Sequence, residues 1–352
     1  MDSFVHQQEE AATLEKFLRA LEAMADELAA RKPEDLTFKV SVRDDVPLVG
    51  ILGNLINSIG VDWEGHMRRE NERTVAHNRE LSRAYEALQA KNEEIQRDLD
   101  AARRVQLQLL PQIEDAARCP EVEFAGHFQS KDKVGGDIYD FFRAGVNTWA
   151  FLIADVAGHG ISSALIGMFL KAAFRTRARA GIGADAICRE VNTDICAVVS
   201  DLGIYATAFF GILDLETGSF RYANCGHTPV HLHRSDGRGT LRLEEKGMLL
   251  GALEEIEVEE STIDLEPGDI LLATTDGIAE CRNYHDEMYG WDRLVASFTD
   301  ACAGLGARAT AQDIIHLVIA GFSLFSLDAT PDDDITATAL RFKARAGGRG
   351  RT

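Results

Sequence analysis

Residues 81 to 109 place an apolar side chain at every seventh position: Leu81, Leu88, Ile95, Ala102 and Leu109. With these at the d position, Tyr85, Asn92, Leu99 and Gln106 fall at a. A seven-residue apolar repeat sustained this long specifies an α-helix whose stripe needs a second helix to cover it, as in a coiled coil. A single solvated helix would leave the stripe bare. A parallel homodimer is therefore expected, with Asn92 as the polar a residue that sets register. The stretch from Trp63 to Leu110 is rich in Glu, Arg, Gln, Asn and Ala and has no proline; Pro111 ends it.

Upstream, Leu14, Phe17, Leu18, Leu21, Met24 and Leu28 recur at helical spacing. After Pro33, Leu36, Phe38, Val40 and Val42 alternate with polar residues, and a second helix is expected after Asp44-Asp45-Val46-Pro47, carrying Val49, Leu52, Leu55, Ile56 and Ile59. The stretch EDLTFKVSVRDDVPLVGILGNLINSI resembles a HAMP-type signalling module, without the proline usual in its first helix and with no membrane span before it. An ordinary helical hairpin accommodates the same pattern. Residues 1–62 are thus read as a helical, HAMP-like regulatory region and 63–112 as a coiled-coil signalling linker.

The chain of 352 residues carries a formal net charge of −20, which disfavours nucleic acid as a partner because phosphate backbones demand a basic face. The basic, Gly-rich end, 344–352, reads as a disordered tail. Six cysteines (Cys119, Cys188, Cys196, Cys225, Cys281 and Cys302) form no C-x-x-C pair, so neither a zinc site nor a disulfide framework is expected; they read as buried thiols of a reduced compartment. No run approaches the roughly 18 apolar residues that span a bilayer, and the N-terminus lacks the layout of a secretion signal. A cytoplasmic protein without a membrane partner is expected.

Beyond the linker, WAFLIADV, TAFFGILDL, SFRYANC and GDILLATT read as strands, the second and third joined by a hairpin at Glu216-Thr217-Gly218. ISSALIGMFLKAAFRTRARA and AQDIIHLVIAGFSLFS read as helices. Hairpin strands with helices grouped apart suggest an α+β layered fold, preceded by an all-α dimeric region. Four acidic sites in this half share one arrangement, a carboxylate at a strand end beside glycine or another aspartate: Gly135-Gly136-Asp137, Ala154-Asp155, Asp276-Gly277 and Asp332-Asp333-Asp334. Carboxylates brought together repel unless a cation neutralises them, and oxygen-only donors suit Mg²⁺ or Mn²⁺ rather than zinc.

The segments KVGGDIYDFF, ADVAGHGISSALIGMFLKAAFRT, YATAFFGILDLETGSFRYANCGHTPVHLHR, LGAL, LEPGDILLATTDGIAECRN and DDDITATALRF follow one another in the order seen in SpoIIE/RsbU-type protein phosphatases, a branch of the PPM metal-dependent Ser/Thr phosphatases. The resemblance starts at the linker motif ARRVQLQLLPQ and covers about residues 103 to 342. It implies an αββα sandwich over 113–343 and two Mn²⁺ or Mg²⁺ ions. It further implies Asp137, Asp155, Asp276 and Asp333 as metal-ligating catalytic residues acting through an activated water, with the Val156 carbonyl as a further ligand. Asp140 and Asp334 are expected to support the ions from behind. His159 is expected to hold the turn before a helix, His227 to hold a turn between strands, and Ser162 and Ser163 to cap the helix.

The resemblance also implies a substrate: a phosphoserine or phosphothreonine on a STAS-domain anti-sigma factor antagonist, within partner switching that controls a sigma factor. An upstream signalling protein acting on the N-terminal region is a further expected partner. Two other classes stay open at this point, a non-catalytic dimeric scaffold that binds phosphorylated partners and a phosphohydrolase of small phosphate esters.

Overall fold

The computed structural model describes residues 47–111, 119–199, 202–244, 247–327 and 331–345, together with helical residues within 12–26. The expected extended run Leu36–Val42 and most of the C-terminal tail lie outside the described residues. The chain divides into two units, 1–94 and 95–352.

In the first unit, a helix begins at Pro47, the position the acidic run and proline indicate. It continues unbroken as α1 (Pro47–Leu109), 63 residues long, so the second N-terminal helix and the linker are one element. Leu81, Tyr85 and Leu88 on its stripe are each at least 60% exposed in the single chain. The helix stops just before Pro111, which cannot donate to it. Among the described residues no helix is long and apolar enough to cross a membrane.

In the second unit, two five-stranded antiparallel sheets face each other. One has the order β2 (Ile138–Arg143), β3 (Thr148–Val156), β4 (Ala206–Asp214), β5 (Ser219–Cys225), β8 (Glu260–Asp264). The other runs β1 (Val122–Gln129), β10 (Ile335–Phe342), β9 (Ile270–Thr274), β6 (Val230–Arg234), β7 (Gly239–Leu243). The β4–β5 hairpin turns at the expected Glu216-Thr217-Gly218, with Phe209 opposite Asn224 and Leu213 opposite Phe220.

Side-chain alternation sorts the strands into layers. Phe141, Trp149, Phe151, Phe209 and Phe220 of one sheet meet Leu232, Leu271, Leu340 and Phe342 of the other. Each such aromatic side chain contributes on the order of 1.5–3 kcal/mol by leaving water. The alternate residues, Ile138, Leu152 and Ala154 among them, pack on α2 (Ile161–Arg177) and α3 (Ala184–Val199) through Leu170, Phe174, Ile187 and Val191. On the far side, Leu272, Ala337 and Ala339 lie under α5 (Trp291–Leu305) and α6 (Ala311–Ser326) through Phe298, Ile314 and Val318. The result is a helix–sheet–sheet–helix sandwich, the αββα layering expected. A short helix, α4 (Asp276–Glu280), follows β9. The capping box of α6 pairs Thr310 with Asp313 and fixes its start.

Candidate metal centre

Register brings the first two aspartates together. Ile138 pairs with Ala154 across the antiparallel β2–β3 ladder, so Asp137, one residue earlier, stands opposite Asp155. Both belong to the face that carries Tyr139, Phe141, Phe151 and Ile153, the face between the sheets. Asp137 is 2% exposed. Its Oδ2 accepts hydrogen bonds from Thr275 Oγ1 at 2.7 Å and Thr336 Oγ1 at 2.5 Å, donors supplied by the ends of β9 and β10 in the opposite sheet. Thr275 and Thr336 are themselves joined through the main chain, Thr275 N–H donating to the Thr336 carbonyl.

The other two acidic sites close in through glycine. A Cβ on Gly277 would come within 2.0 Å of the Asp334 carbonyl, and one on Gly135 within 2.0 Å of Asp334 Oδ2, so only glycine allows these loops to touch. The Asp334 carboxylate accepts from Lys131 N–H at 2.8 Å and from Asp137 N–H at 3.3 Å, which binds the 332–334 loop to the loop before β2. The Val156 carbonyl lies against Gly136, 2.8 Å from where a Cβ would stand.

Proximity is also legible in the charges. Burial first, and then the Asp155 charge, hold the Asp137 carboxyl well above its ordinary range, while the two threonine hydroxyls pull the other way. Asp155 is pushed up to about 7, first by burial and then by Asp276 and Asp333. Asp276 is raised by burial, Glu280 and Asp333, and Asp334 by burial, with its main-chain donors opposing. Four strand ends thus deliver mutually repelling carboxylates to one end of the sandwich. Among the described residues no three acidic, histidine or cysteine side chains are drawn into a closed metal cage. The donors gathered here are all oxygens, with proton affinities raised by burial and by one another. Hard divalent cations fit such a set, since they neutralise it and take oxygen donors.

Several expected residues lie elsewhere or act differently. Asp140 does not join the centre. Three residues on from Asp137, it points to the opposite face of β2, where Arg175 meets it at 2.5 and 2.9 Å and Lys171 at 2.8 Å, both from α2. Ser162 and Ser163 do not cap α2; its cap is Gly160, without a side-chain bond, and Ser163 Oγ donates to the Gly160 carbonyl at 3.0 Å. His159 is exposed, and its Nδ1 lies 3.0 Å from Asp132 Oδ2. Cys196 is half-exposed, whereas the other five cysteines are buried; all six are free.

Gln106, expected at a coiled-coil a position, is 4% exposed. Its Nε2 donates to the Gly135 carbonyl at 2.7 Å and its Oε1 accepts from Gly135 N–H at 3.2 Å. Lys133 Nζ reaches Asp100 of the same helix at 2.6 Å. Thr275, Thr336 and Gln106 are the site residues that motif reading passes over. Thr275 adjoins the expected ligand Asp276 at the end of an apolar strand, which was a signal; Thr336 shares its face of β10 with the equally buried Thr338, so nothing local singled it out.

The sequence model of the Stage II sporulation protein E (SpoIIE) family matches residues 145–343. Among curated relatives, Protein IcfG of Synechocystis sp. is 26% identical over 272 residues, 69% of this chain and 41% of that protein. Phosphoserine phosphatase RsbU of Bacillus subtilis is 27% identical over 203 residues, 56% of this chain and 58% of that one. The chain therefore spans about half the length of these relatives. Among solved structures, the SiaA-PP2C domain of Pseudomonas aeruginosa superposes with a TM-score of 0.63 at 23% identity, over 72% of this chain and 99% of that one, a likeness of fold. Matched to its family over more than half of its 352 residues and folded as its motif order implies, the chain belongs to the SpoIIE family of PPM-type phosphatases.

Proposed function

We propose that this chain is a metal-dependent protein phosphatase that hydrolyses phosphoserine or phosphothreonine on a regulatory protein. The observation that carries the reading is the convergence of Asp137, Asp155, Asp276 and the Asp333–Asp334 pair from four strand ends, with carboxyl proton affinities raised by burial and by one another. Perturbed groups of this kind mark functional sites. Asp137, Asp155, Asp276 and Asp333, with the Val156 carbonyl, are the groups to hold two Mn²⁺ or Mg²⁺ ions. When bound, such a pair supplies positive charge for the phosphoryl oxygens and acidifies the attacking water.

The protein's own part is positioning. Thr275 and Thr336 keep the Asp137 carboxylate turned inward, and the main-chain N–H groups of Lys131 and Asp137 hold that of Asp334. Tyr139 and Ile153, packed beneath the pair Asp137–Asp155, exclude water from the inner side. A phosphoprotein approaches from the open end of the sandwich, where the loops bearing His159 and Asp132 are exposed.

The substrate in this reading is a phosphorylated STAS-domain protein of a sigma-factor partner switch, and the chain works in the cytoplasm as a homodimer through the α1 stripe. Control by an upstream signalling protein reaches the centre through α1, whose Gln106 grips the main chain of Gly135 two residues before Asp137. The test is Mn²⁺-dependent phosphate release from a phosphorylated STAS protein, set beside a free phosphate ester and beside Asp155→Asn. Turnover of the phosphoprotein at least about 100-fold above the variant is expected. A protein that binds the phosphoprotein with no turnover above the variant is a scaffold, and the reading then fails.

A further inference from the structure

A second polar cluster lies at the same end of the sandwich and has no place in the reaction just described. His227 follows β5, and its side chain is 6% exposed. Asn224 closes the turn that carries it, accepting from the His227 main-chain N–H at 2.6 Å and donating from Nδ2 to the His227 carbonyl at 3.0 Å. Were the histidine needed only to make that turn, these two bonds would suffice, because neither involves its ring. The ring goes inward instead. Its Nδ1 is 2.7 Å from Thr207 Oγ1, and Thr207 stands in register opposite Asp155 on the neighbouring strand.

The other ring nitrogen is the unexplained atom. Among the described residues none meets Nε2, which is buried, in hydrogen-bond geometry. The main chain of Thr274 lies beside the ring and opposes part of the effect of burial, and its carbonyl accepts from Thr228 Oγ1. Burial takes the ring down to a pKa of about 3, so it is neutral at physiological pH and adds no positive charge to the carboxylates. One ring nitrogen serves Thr207, and the other faces the main chain of Thr274. Buried polar atoms without partners are rare and call for a reason.

The connections supply one. Through Thr207 the ring touches the residue facing Asp155 in one sheet. Through Thr228 the same turn holds the carbonyl of Thr274 in the other sheet, next to Thr275, which donates to Asp137. The turn 224–228 is therefore a brace between the two sheets at the point where their carboxylates meet.

We infer that His227 is a positioning residue of the metal centre, setting Asp155 through Thr207 and fixing its separation from the Asp137–Thr275 side. This rests on the metal-centre reading above. Groups that orient metal ligands from behind change metal affinity about 10–100-fold when removed.

The experiment is calorimetric titration of Mn²⁺ into the full-length protein, alongside melting without metal. It compares wild type with His227→Ala, His227→Asn and Thr207→Val. His227→Ala and Thr207→Val are expected to bind Mn²⁺ about 10-fold or more weakly. His227→Asn keeps an acceptor near the place of Nδ1 and is expected to recover most of the affinity. Equal Mn²⁺ affinity in wild type and His227→Ala overturns the inference, as does an Asn variant no better than Ala. If His227→Ala does not fold, Thr207→Val decides alone, and wild-type affinity in it overturns the proposal. Wild type that takes up no Mn²⁺ removes the metal-centre reading and this inference with it; wild type that binds beside variants that bind equally removes the inference only.

Discussion

Asp155 shows how a single residue couples stability to function. Its carboxyl is raised from 3.8 to about 7 in the fold, first by burial and then by Asp276 and Asp333. Between those two values the folded state holds the Asp155 proton more tightly than the unfolded chain does, so the stability this group contributes is full below about pH 4 and is lost as pH rises through about 7. For the metal-free protein, the stability difference between wild type and Asp155→Asn is expected to widen against wild type over that window, followed by melting at a series of pH values. At pH 7.5 the variant is expected to melt higher than metal-free wild type and to have lost Mn²⁺ binding, whereas Mn²⁺ raises the melting temperature of wild type alone.

At the scale of elements, two contacts made by helices separate scaffold from site. Asp140 on β2 is fully buried and tied to Lys171 and Arg175 of α2. Removing one partner of a buried ion pair leaves the other charge uncompensated, so Asp140→Ala is expected to cost about 3–5 kcal/mol in urea unfolding while Mn²⁺ affinity stays near that of wild type. Gln106 on α1 makes two hydrogen bonds to the main chain of Gly135, in the loop that leads to Asp137. Gln106→Ala is expected to cost about 1–3 kcal/mol and to lower phosphatase activity at saturating metal. The two variants should therefore part company: one unstable with its metal site intact, the other stable enough but catalytically weak. Activity in Gln106→Ala equal to wild type would disconnect α1 from the centre.

For the whole molecule, the stripe on α1 carries the consequence. Leu81, Tyr85 and Leu88 stand exposed along the helix, each at 60% or more, with Asn92 in the polar a position. Burying such a seam against a second copy is the ordinary way to remove it from water. Sedimentation of the full chain is expected to give twice the mass of one chain, and Leu88→Asp to shift it toward the single-chain mass. A wild-type protein that sediments as one chain would leave the stripe to some other partner.

Local pattern was sufficient wherever a segment's own periodicity decides its state. The run from Ser219 to Cys225 is the strand its sequence indicates, Ala311 to Ser326 is the helix, and α1 starts and stops at its prolines. Edge strands such as β7 and β8 were not legible, being short and half-exposed, so that no alternation stands out. The helix α3 carries Ile187, Val191 and Ile195 at helical spacing and was readable in principle. The aspartate motifs were legible because each expected ligand sits at a strand end with a local signature. What sequence could not settle is which face and which partner each side chain obtains. Asp140 and Asp137 lie in one short motif, yet alternation sends one to α2 and the other between the sheets. Gln106 fits a heptad by spacing, yet it bonds a loop 29 residues away. Spacing is a property of the chain near a residue, whereas the partner of a buried polar group is fixed only when distant segments meet, which the tertiary structure alone decides.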